Sequence, residues 1–147
     1  MVQAARGARR RVARRVQVEN DFGEIMHYVR HTGGGLVSPR ADVPDDVPVG
    51  DGTYVEAGAH VGPGCRVGGG SWIDEDVTLG RDVRVGDNVR IGPGTRVGDR
   101  AHVGSGARVG GRVVVEPDVH VLPDTVVADD AVLRRRAGSR SGFDVAA

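Results

Sequence analysis

One feature constrains the fold of this chain more than any other: an aliphatic residue stands at every sixth position from Val49 to Leu133. Two further aliphatic residues, Val37 and Val43, precede them in the same phase. Neither the 3.6-residue period of a helix nor simple strand alternation maintains a period of six. The pattern instead predicts a stack of short repeated units. The unbroken series comprises Val49, Val55, Val61, Val67, Ile73, Leu79, Val85, Ile91, Val97, Val103, Val109, Val115, Val121, Val127 and Leu133.

The positions around each aliphatic residue predict the shape of one unit. Two residues earlier stands a small or β-branched residue, such as Thr53 or Ala59, which would share the inward face of a strand. Three residues later stands Gly, Asp or Asn, types that tolerate the left-handed backbone of a tight turn. From Val49 to Val127, only Arg100 and Arg112 depart from this rule. Each hexad is therefore predicted to be a short strand followed by a corner.

The composition agrees with a core of small aliphatic side chains. The 147 residues include 24 Gly, but only one Trp, two Tyr and two Phe. A single Cys excludes an internal disulfide and a zinc site built from several cysteines. No apolar stretch approaches the ~20 residues of a membrane-spanning helix, which excludes an integral membrane protein of that type.

Charge is unevenly distributed along a chain that is formally neutral. Residues 1–16 carry six Arg and no acid, and we expect them to form a disordered basic arm. Its alternatives are a merely solvated tail, or a segment that binds nucleic acid, anionic lipid or an acidic partner. The arm lacks the apolar region of an export signal, so the expected location is cytoplasmic. Arg without Lys indicates a bacterial source with GC-rich codons.

The repeat resembles the hexapeptide-repeat family, whose motif is aliphatic-Gly-x-x-small-x. Residues 61–66 (VGPGCR) and 91–96 (IGPGTR) are strong instances, and the resemblance covers residues 37–133. It implies an all-β fold, a single-stranded left-handed parallel β-helix of triangular section with about five to six coils of 18 residues. The left-handed twist of the coils comes from the resemblance alone.

The two flanking segments are expected to lie outside this prism. Residues 17–36 are predicted to cap its N-terminal end, with residues 20–30 as a short helix begun by Asn20 or Asp21. Residues 134–147 are predicted to form a basic C-terminal tail.

Residues eighteen apart are expected to lie above one another, so that outward side chains form three columns. The first column, which holds Tyr54 and Trp72, indicates either a subunit interface with cation–π support or a platform for a ligand ring. The resemblance implies a homotrimer with sites in the clefts between subunits, and outward Val114 and Val132 favour subunit contact. The columns are Tyr54, Trp72, Arg90 and Arg108; Arg66, Arg84, His102 and His120; and His60, Thr78, Arg96, Val114 and Val132.

Many hexapeptide-repeat proteins are acyltransferases, in which one histidine acts as general base on the acceptor hydroxyl or amine. Residues 91–97 followed by His102 resemble the sugar O-acetyltransferase pattern, which makes His102 the first candidate for this base. Val103 stands where that family has a proline. Residues 52–61 resemble the aminosugar N-acetyltransferases, where His60 matches the second of two histidines and Ala57 replaces the first. His120, one coil after His102, is the third candidate.

The C-terminal region resembles the tail of CoA-dependent members, although their usual Gly-Asn-Pro-Ala segment is shortened here. Acetyl-CoA, or another acyl-CoA, is therefore the expected co-substrate, and a sugar or small amine is the expected acceptor. Four arginines near the C-terminus are candidates for holding the CoA phosphates through charge-assisted hydrogen bonds. They are Arg134, Arg135, Arg136 and Arg140.

Two other functions stay open. The absence of any loop between Val49 and Leu133 favours a non-catalytic trimeric scaffold. A metalloenzyme resembling the γ-carbonic anhydrases would use His102 and His120, about 5 Å apart, with a third ligand from a neighbouring subunit. That family's pair of histidines five residues apart is missing from the prism, so no metal is predicted. The inward phase of Cys65 makes it a core residue and not a nucleophile.

Overall fold

A computed structural model describes residues 14–135 and the backbone of residues 144–146. The described elements are all β-strands, most of them two residues long, separated by turns. They are β1 (Arg15–Glu19), β2 (Ile25–Arg30), β3 (Leu36–Val37), β4 (Tyr54–Val55), β5 (His60–Val61), β6 (Arg66–Val67), β7 (Trp72–Ile73), β8 (Thr78–Leu79), β9 (Arg84–Val85), β10 (Arg90–Ile91), β11 (Arg96–Val97), β12 (His102–Val103), β13 (Arg108–Val109), β14 (Val114–Val115), β15 (His120–Val121), β16 (Val126–Val127), β17 (Val132–Arg134) and β18 (Asp144–Ala146).

The strands of the repeat form three parallel sheets because each pairs with the strand eighteen residues later. Sheet 1 contains β3-β4-β7-β10-β13-β16, sheet 2 contains β5-β8-β11-β14-β17, and sheet 3 contains β6-β9-β12-β15. The register stacks Trp72 between Tyr54 and Arg90, and His102 between Arg84 and His120. The three predicted columns are confirmed, and the chain forms a left-handed parallel β-helix of about five coils.

The interior of the prism is a continuous stack of small aliphatic side chains. The repeated aliphatic residue and the residue two positions before it are both buried along the stack, as in Val89 and Ile91. Where the second position is Ser or Thr, the hydroxyl is satisfied between coils. Thr95 accepts a hydrogen bond from the amide of Val113 and donates one to the carbonyl oxygen of Gly110. The prism therefore buries no polar side-chain atom without a partner among the described residues.

The corners take the left-handed backbone that the sequence predicts. Asp76, Asp82 and Asn88 have φ of 59°, 57° and 56°, and Gly52 has 79°. Asp and Asn tolerate this conformation better than other side chains, and Gly pays no Cβ penalty there. The corner residues therefore turn the chain from one sheet to the next, as three-sided coils require.

The predicted helix over residues 20–30 is wrong. Strands β1 and β2 form an antiparallel hairpin, and β2 adds antiparallel to β3 at the N-terminal edge of sheet 1. The Oδ1 of Asn20 accepts hydrogen bonds from the amides of Phe22 and Glu24, as a helix N-cap would. Here the same contacts close a turn, because Gly23 takes φ of 78° and sends the chain back.

The ends of the chain lie partly outside the described residues. Of the predicted arm, residues 1–13 are not described, and Arg15 lies in β1. At the other end, β17 is followed by β18, which pairs with it antiparallel. The β1–β2 hairpin and strand β18 therefore each pair antiparallel with an edge strand of the prism, and so cover that edge.

Candidate functional site

The structure brings His102 and His120 together on the open face of sheet 3. Their rings stack face to face with centroids 4.3 Å apart and planes 5° from parallel. Both side chains are partly exposed, and Arg84 precedes them in the same column. Within the described residues, no side chain forms a hydrogen bond to either imidazole.

The surroundings of His102 favour its neutral form. Burial lowers the pKa of His102, and the nearby His120 and Arg84 lower it further by charge repulsion. The reference value for histidine is 6.5, so His102 is uncharged at pH 7 and can accept a proton. This is the protonation state that a general base needs.

His60 lies on sheet 2, where it stacks between Asp42 and Thr78. Its Nδ1 is 3.4 Å from a carboxylate oxygen of Asp42, and 65% of its side chain is exposed. The structure therefore does not bring His60 together with the His102–His120 pair on one face. Unlike His102 and His120, His60 has a neighbouring carboxylate, that of Asp42, which can orient its ring.

Of the four arginines proposed to bind CoA, Arg136 and Arg140 lie outside the described residues. Arg134 ends strand β17, with its Nε 3.8 Å from an oxygen of Glu116. Both side chains of this pair are about half exposed, so the guanidinium remains accessible to a phosphate. Arg135 follows it and lies near Asp118.

A second feature, which sequence reasoning missed, is a groove between the hairpin and sheet 1. It has a volume of about 620 Å³ and combines aromatic and apolar walls with four carboxylates. It exists because the hairpin crosses the first coils, which no repeat pattern predicts. The lining residues are Val18, Asn20, Asp21, Phe22, Met26, Tyr28, Gly52, Tyr54, Glu56, Gly70, Ser71, Trp72, Asp74 and Glu75.

At the base of this groove, a buried hydrogen bond joins the hairpin to the prism. The hydroxyl of Tyr28 donates to the carboxylate of Glu56, with oxygen–oxygen distances of 2.9 and 3.1 Å. The exposed fractions of Tyr28 and Glu56 are only 6% and 9%. Burial raises the pKa of Glu56, while hydrogen bonds from Tyr28 and Trp72 lower it, and burial also raises the pKa of Tyr28.

The upper wall of the groove is Trp72, whose ring carries a cation on one face. The guanidinium carbon of Arg90 lies 4.9 Å from the ring centroid, which confirms the cation–π contact predicted for the first column. A guanidinium nitrogen of Arg90 is also 3.5 Å from a carboxylate oxygen of Asp74. Arg90 is not among the residues that line the groove.

Neither a metal cluster nor a membrane-spanning helix is found in the described part of the chain. No group of three or more His, Cys, Asp or Glu residues there is arranged to hold a metal ion. No helix among the same residues is long and apolar enough to cross a bilayer.

The fold is a parallel β-helix, and part of its repeat matches a known family model. Residues 64–99 and 76–111 match the profile of the family described as bacterial transferase hexapeptide (six repeats). This match covers part of the repeat, and it supports the resemblance to hexapeptide-repeat proteins that the sequence motifs predict. No curated protein sequence matches it.

Solved structures with TM-scores of 0.63 and 0.64 share the fold. Two are histidine variants of perosamine N-acetyltransferase from Caulobacter crescentus, His→Asn and His→Ala, each in complex with CoA and GDP-perosamine. Both are 24% identical over 99% of this chain, with TM-scores of 0.64 and 0.63. The present chain spans 63% of the length of each. The acetyltransferase domain of PglB from Neisseria gonorrhoeae, in complex with acetyl coenzyme A, is 25% identical, with 67% of this chain and 53% of that chain covered and a TM-score of 0.41.

Proposed function

We propose that this protein is a CoA-dependent acyltransferase that acetylates a hydroxyl or amine on a sugar or small amine, with His102 as the general base. The observation that carries the proposal is the partly exposed His102 ring, whose lowered pKa keeps it neutral at pH 7. The perosamine N-acetyltransferase with the same fold, solved with CoA and GDP-perosamine, supports acyl transfer as the reaction class.

In the proposed mechanism, His102 removes a proton from the acceptor hydroxyl or amine. The freed oxygen or nitrogen attacks the thioester carbonyl, the C–S bond breaks, and the CoA thiolate leaves and takes up a proton. Backbone amides hold the oxyanion that forms on the way. His120 is a positioning residue, because its stacked ring restricts the orientation of His102.

The protein is proposed to act as a homotrimer in the bacterial cytoplasm, with the reaction in a cleft between subunits. Arg134 and Arg135 would lie at such a cleft and bind CoA phosphates by charge-assisted hydrogen bonds. Calorimetry measures this directly: replacing both arginines by Gln should weaken acetyl-CoA binding at least tenfold. Unchanged binding would remove the arginines from the site.

The assignment of the base is tested by thiol release from acetyl-CoA in a screen of sugar and amine acceptors. His102→Gln should lower turnover by about 10² to 10⁴-fold, the range of general-base contributions. His27→Gln, an exposed histidine of the hairpin, is the matched control and should have no effect. Loss of activity in His60→Gln but not in His102→Gln would move the role to His60.

The pH profile separates catalysis from a structural effect. Because the folded pKa of His102 is lowered, activity should persist below pH 6.5 and be lost only as the pH falls through that folded pKa. His120→Gln removes a charge near His102 and some of the burial of its ring, so the pKa of His102 should rise. The loss of activity at acidic pH should therefore begin at a higher pH than in the wild type. If activity is lost at the same pH in His120→Gln as in the wild type, His102 is not the titrating base.

The alternative function is a non-catalytic trimeric scaffold. The observation that favours it is the regular turn-and-strand pattern from Val49 to Leu133, which no loop interrupts. Acetyl-CoA binding decides between the two functions. No detectable binding at millimolar concentration would favour the scaffold, whereas micromolar binding would favour the transferase.

A further inference from the structure

We propose that the groove between the N-terminal hairpin and sheet 1 is a binding site for a small organic cation, an amine carried on an apolar or planar body. This site is separate from the proposed acyl-transfer site, because the groove lies on sheet 1 and His102 lies on sheet 3. The inference does not depend on that function.

The size and walls of the groove fit a small organic molecule. A volume of about 620 Å³ falls within the ~300–1,000 Å³ of typical ligand pockets. The hairpin contributes Phe22 and Met26, and sheet 1 contributes Tyr54 and Trp72. Phe22 is 87% exposed and Trp72 is 44% exposed, so apolar surface is left open on both sides of the groove.

The charge of the lining selects a cation. The four acidic lining residues are accompanied by no Arg or His in the lining. Arg90 offsets only Asp74, from outside the groove. Asp21, Glu56 and Glu75 have no ion-pair partner among the described residues. A cation seated against these carboxylates and the aromatic rings would gain both ionic and cation–π contacts.

Glu56 is the residue that most requires such a partner. A buried carboxylate is unfavourable unless it is paired, and the hydroxyl of Tyr28 and the indole of Trp72 supply hydrogen bonds but no positive charge. Burial and the nearby Asp74 and Glu75 all raise the pKa of Glu56. A ligand ammonium group would supply the missing counter-charge while leaving the Tyr28 hydrogen bond intact.

The same four acids argue against a second copy of this chain as the occupant. A copy docking its own groove face here would bring like charges together across the contact. A small cation meets no such repulsion. The test below still distinguishes the two occupants.

Trp72 is the only tryptophan, so its fluorescence reports directly on the groove. Two probes of similar shape are titrated into the full chain, 2-phenylethylamine, which is a cation at pH 7, and the neutral 2-phenylethanol. The amine should change Trp72 emission saturably, and the alcohol should bind at least tenfold more weakly. Raising the salt concentration should weaken the binding of the amine and leave the binding of the alcohol unchanged.

Matched variants identify the charges responsible. Glu56→Gln keeps a hydrogen-bond acceptor for Tyr28 but removes the negative charge. It should weaken the binding of the amine at least tenfold. Glu75→Gln, at an exposed position, tests the same charge effect without disturbing a buried contact and should weaken it severalfold. Glu19→Gln, on the same hairpin but outside the lining, should leave binding unchanged. His102→Gln should also leave it unchanged.

Four outcomes would overturn the proposal. Equal binding of amine and alcohol would make the groove an apolar pocket. The absence of a saturable change with the amine, or full affinity in both Glu56→Gln and Glu75→Gln, would exclude a cation site. A Trp72 emission that depends on protein concentration, with matching self-association in sedimentation, would assign the groove to a second copy. A failed acetyl-CoA assay would leave this result unaffected.

Discussion

Two corner residues of the prism, Arg100 and Arg112, take a left-handed backbone conformation that most side chains avoid. Their φ values are 62° and 54°. Each guanidinium pairs with the corner carboxylate of the next coil, with Nε–Oδ1 distances of 2.9 Å to Asp118 and 2.8 Å to Asp130. These hydrogen bonds lower the pKa of both carboxyl groups. The ladder of corners thus accommodates two residues that sequence rules would exclude.

Replacing Arg112 measures the backbone cost of such a corner. Arg112→Gly and Arg112→Ala both remove the ion pair with Asp130, but only Ala keeps a Cβ in the left-handed conformation. The Gly variant should therefore be more stable than the Ala variant by about 1 kcal/mol. Urea unfolding of the two variants measures the difference. Equal stabilities would mean that the corner relaxes out of the left-handed region.

At the scale of the coil, the glycine that follows many of the repeated aliphatic residues has a role that the motif alone does not explain. A Cβ built on Gly92 would lie 2.5 Å from the carbonyl carbon of Gly110 and 2.6 Å from the amide nitrogen of Gly111. These atoms belong to the backbone of the next coil, which cannot move aside without breaking its own pairing. Glycine at this position therefore permits the close stacking of coils.

Gly92→Ala should destabilise the protein by about 3 kcal/mol, at the upper end of the usual cost of overpacking. Gly111→Ala is the matched control, because its nearest contact would be 3.2 Å from the carbonyl oxygen of Pro93. It should cost well under half as much. Thermal unfolding of both variants measures the comparison, and equal losses would show that local backbone preference, rather than contact between coils, selects glycine.

The hairpin is the element that sequence reasoning misjudged. In β2, Tyr28 is buried against the prism and His27 is exposed. Residues 20–30 nevertheless begin with Asn20 and Asp21, residue types that favour the N-cap of a helix. Asn20 serves either structure equally well as a hydrogen-bond acceptor. The segment forms a strand because the edge of β3 has unpaired backbone groups, which can form hydrogen bonds with another strand but not with a helix.

At the scale of the whole molecule, the stack behaves as a one-dimensional array in which each coil contacts only its neighbours. Central coils are held from both sides, whereas the first coil depends on the hairpin for its second contact. The hairpin in turn is joined to the prism by the buried Tyr28–Glu56 hydrogen bond. Stability should therefore be lowest near the ends and highest in the middle.

Tyr28→Phe tests this gradient. Loss of a hydrogen bond to a charged group costs about 1.5–3 kcal/mol, so amides of β2 and β3 should exchange hydrogen at least tenfold faster. Amides of β10 and β13, in the central coils, should keep their wild-type rates. His27→Gln on the outer face of β2 is the control. Hydrogen-exchange mass spectrometry resolves these segments, and acceleration along the whole stack would contradict independent behaviour of the cap.

The sequence by itself determined the prism: the strands, the corners, the inward residues and the three outward columns. This was possible because every contact in the stack joins residues eighteen apart, a separation that the period of six displays directly. Even the neighbourhood of His102 and His120 follows from that arithmetic. The parallel stacking of their rings at 4.3 Å does not, because ring orientation depends on side-chain rotamers that residue spacing does not fix.

Only the tertiary structure decided what happens where the period ends. The hairpin, the Tyr28–Glu56 hydrogen bond across 28 residues, and the acidic aromatic groove all join the non-periodic segment to the first coils. No repeat relates those partners, and their local sequence suits a helix as well as a strand. Their meeting depends on an open β edge and a buried carboxylate, which exist only once the prism has formed.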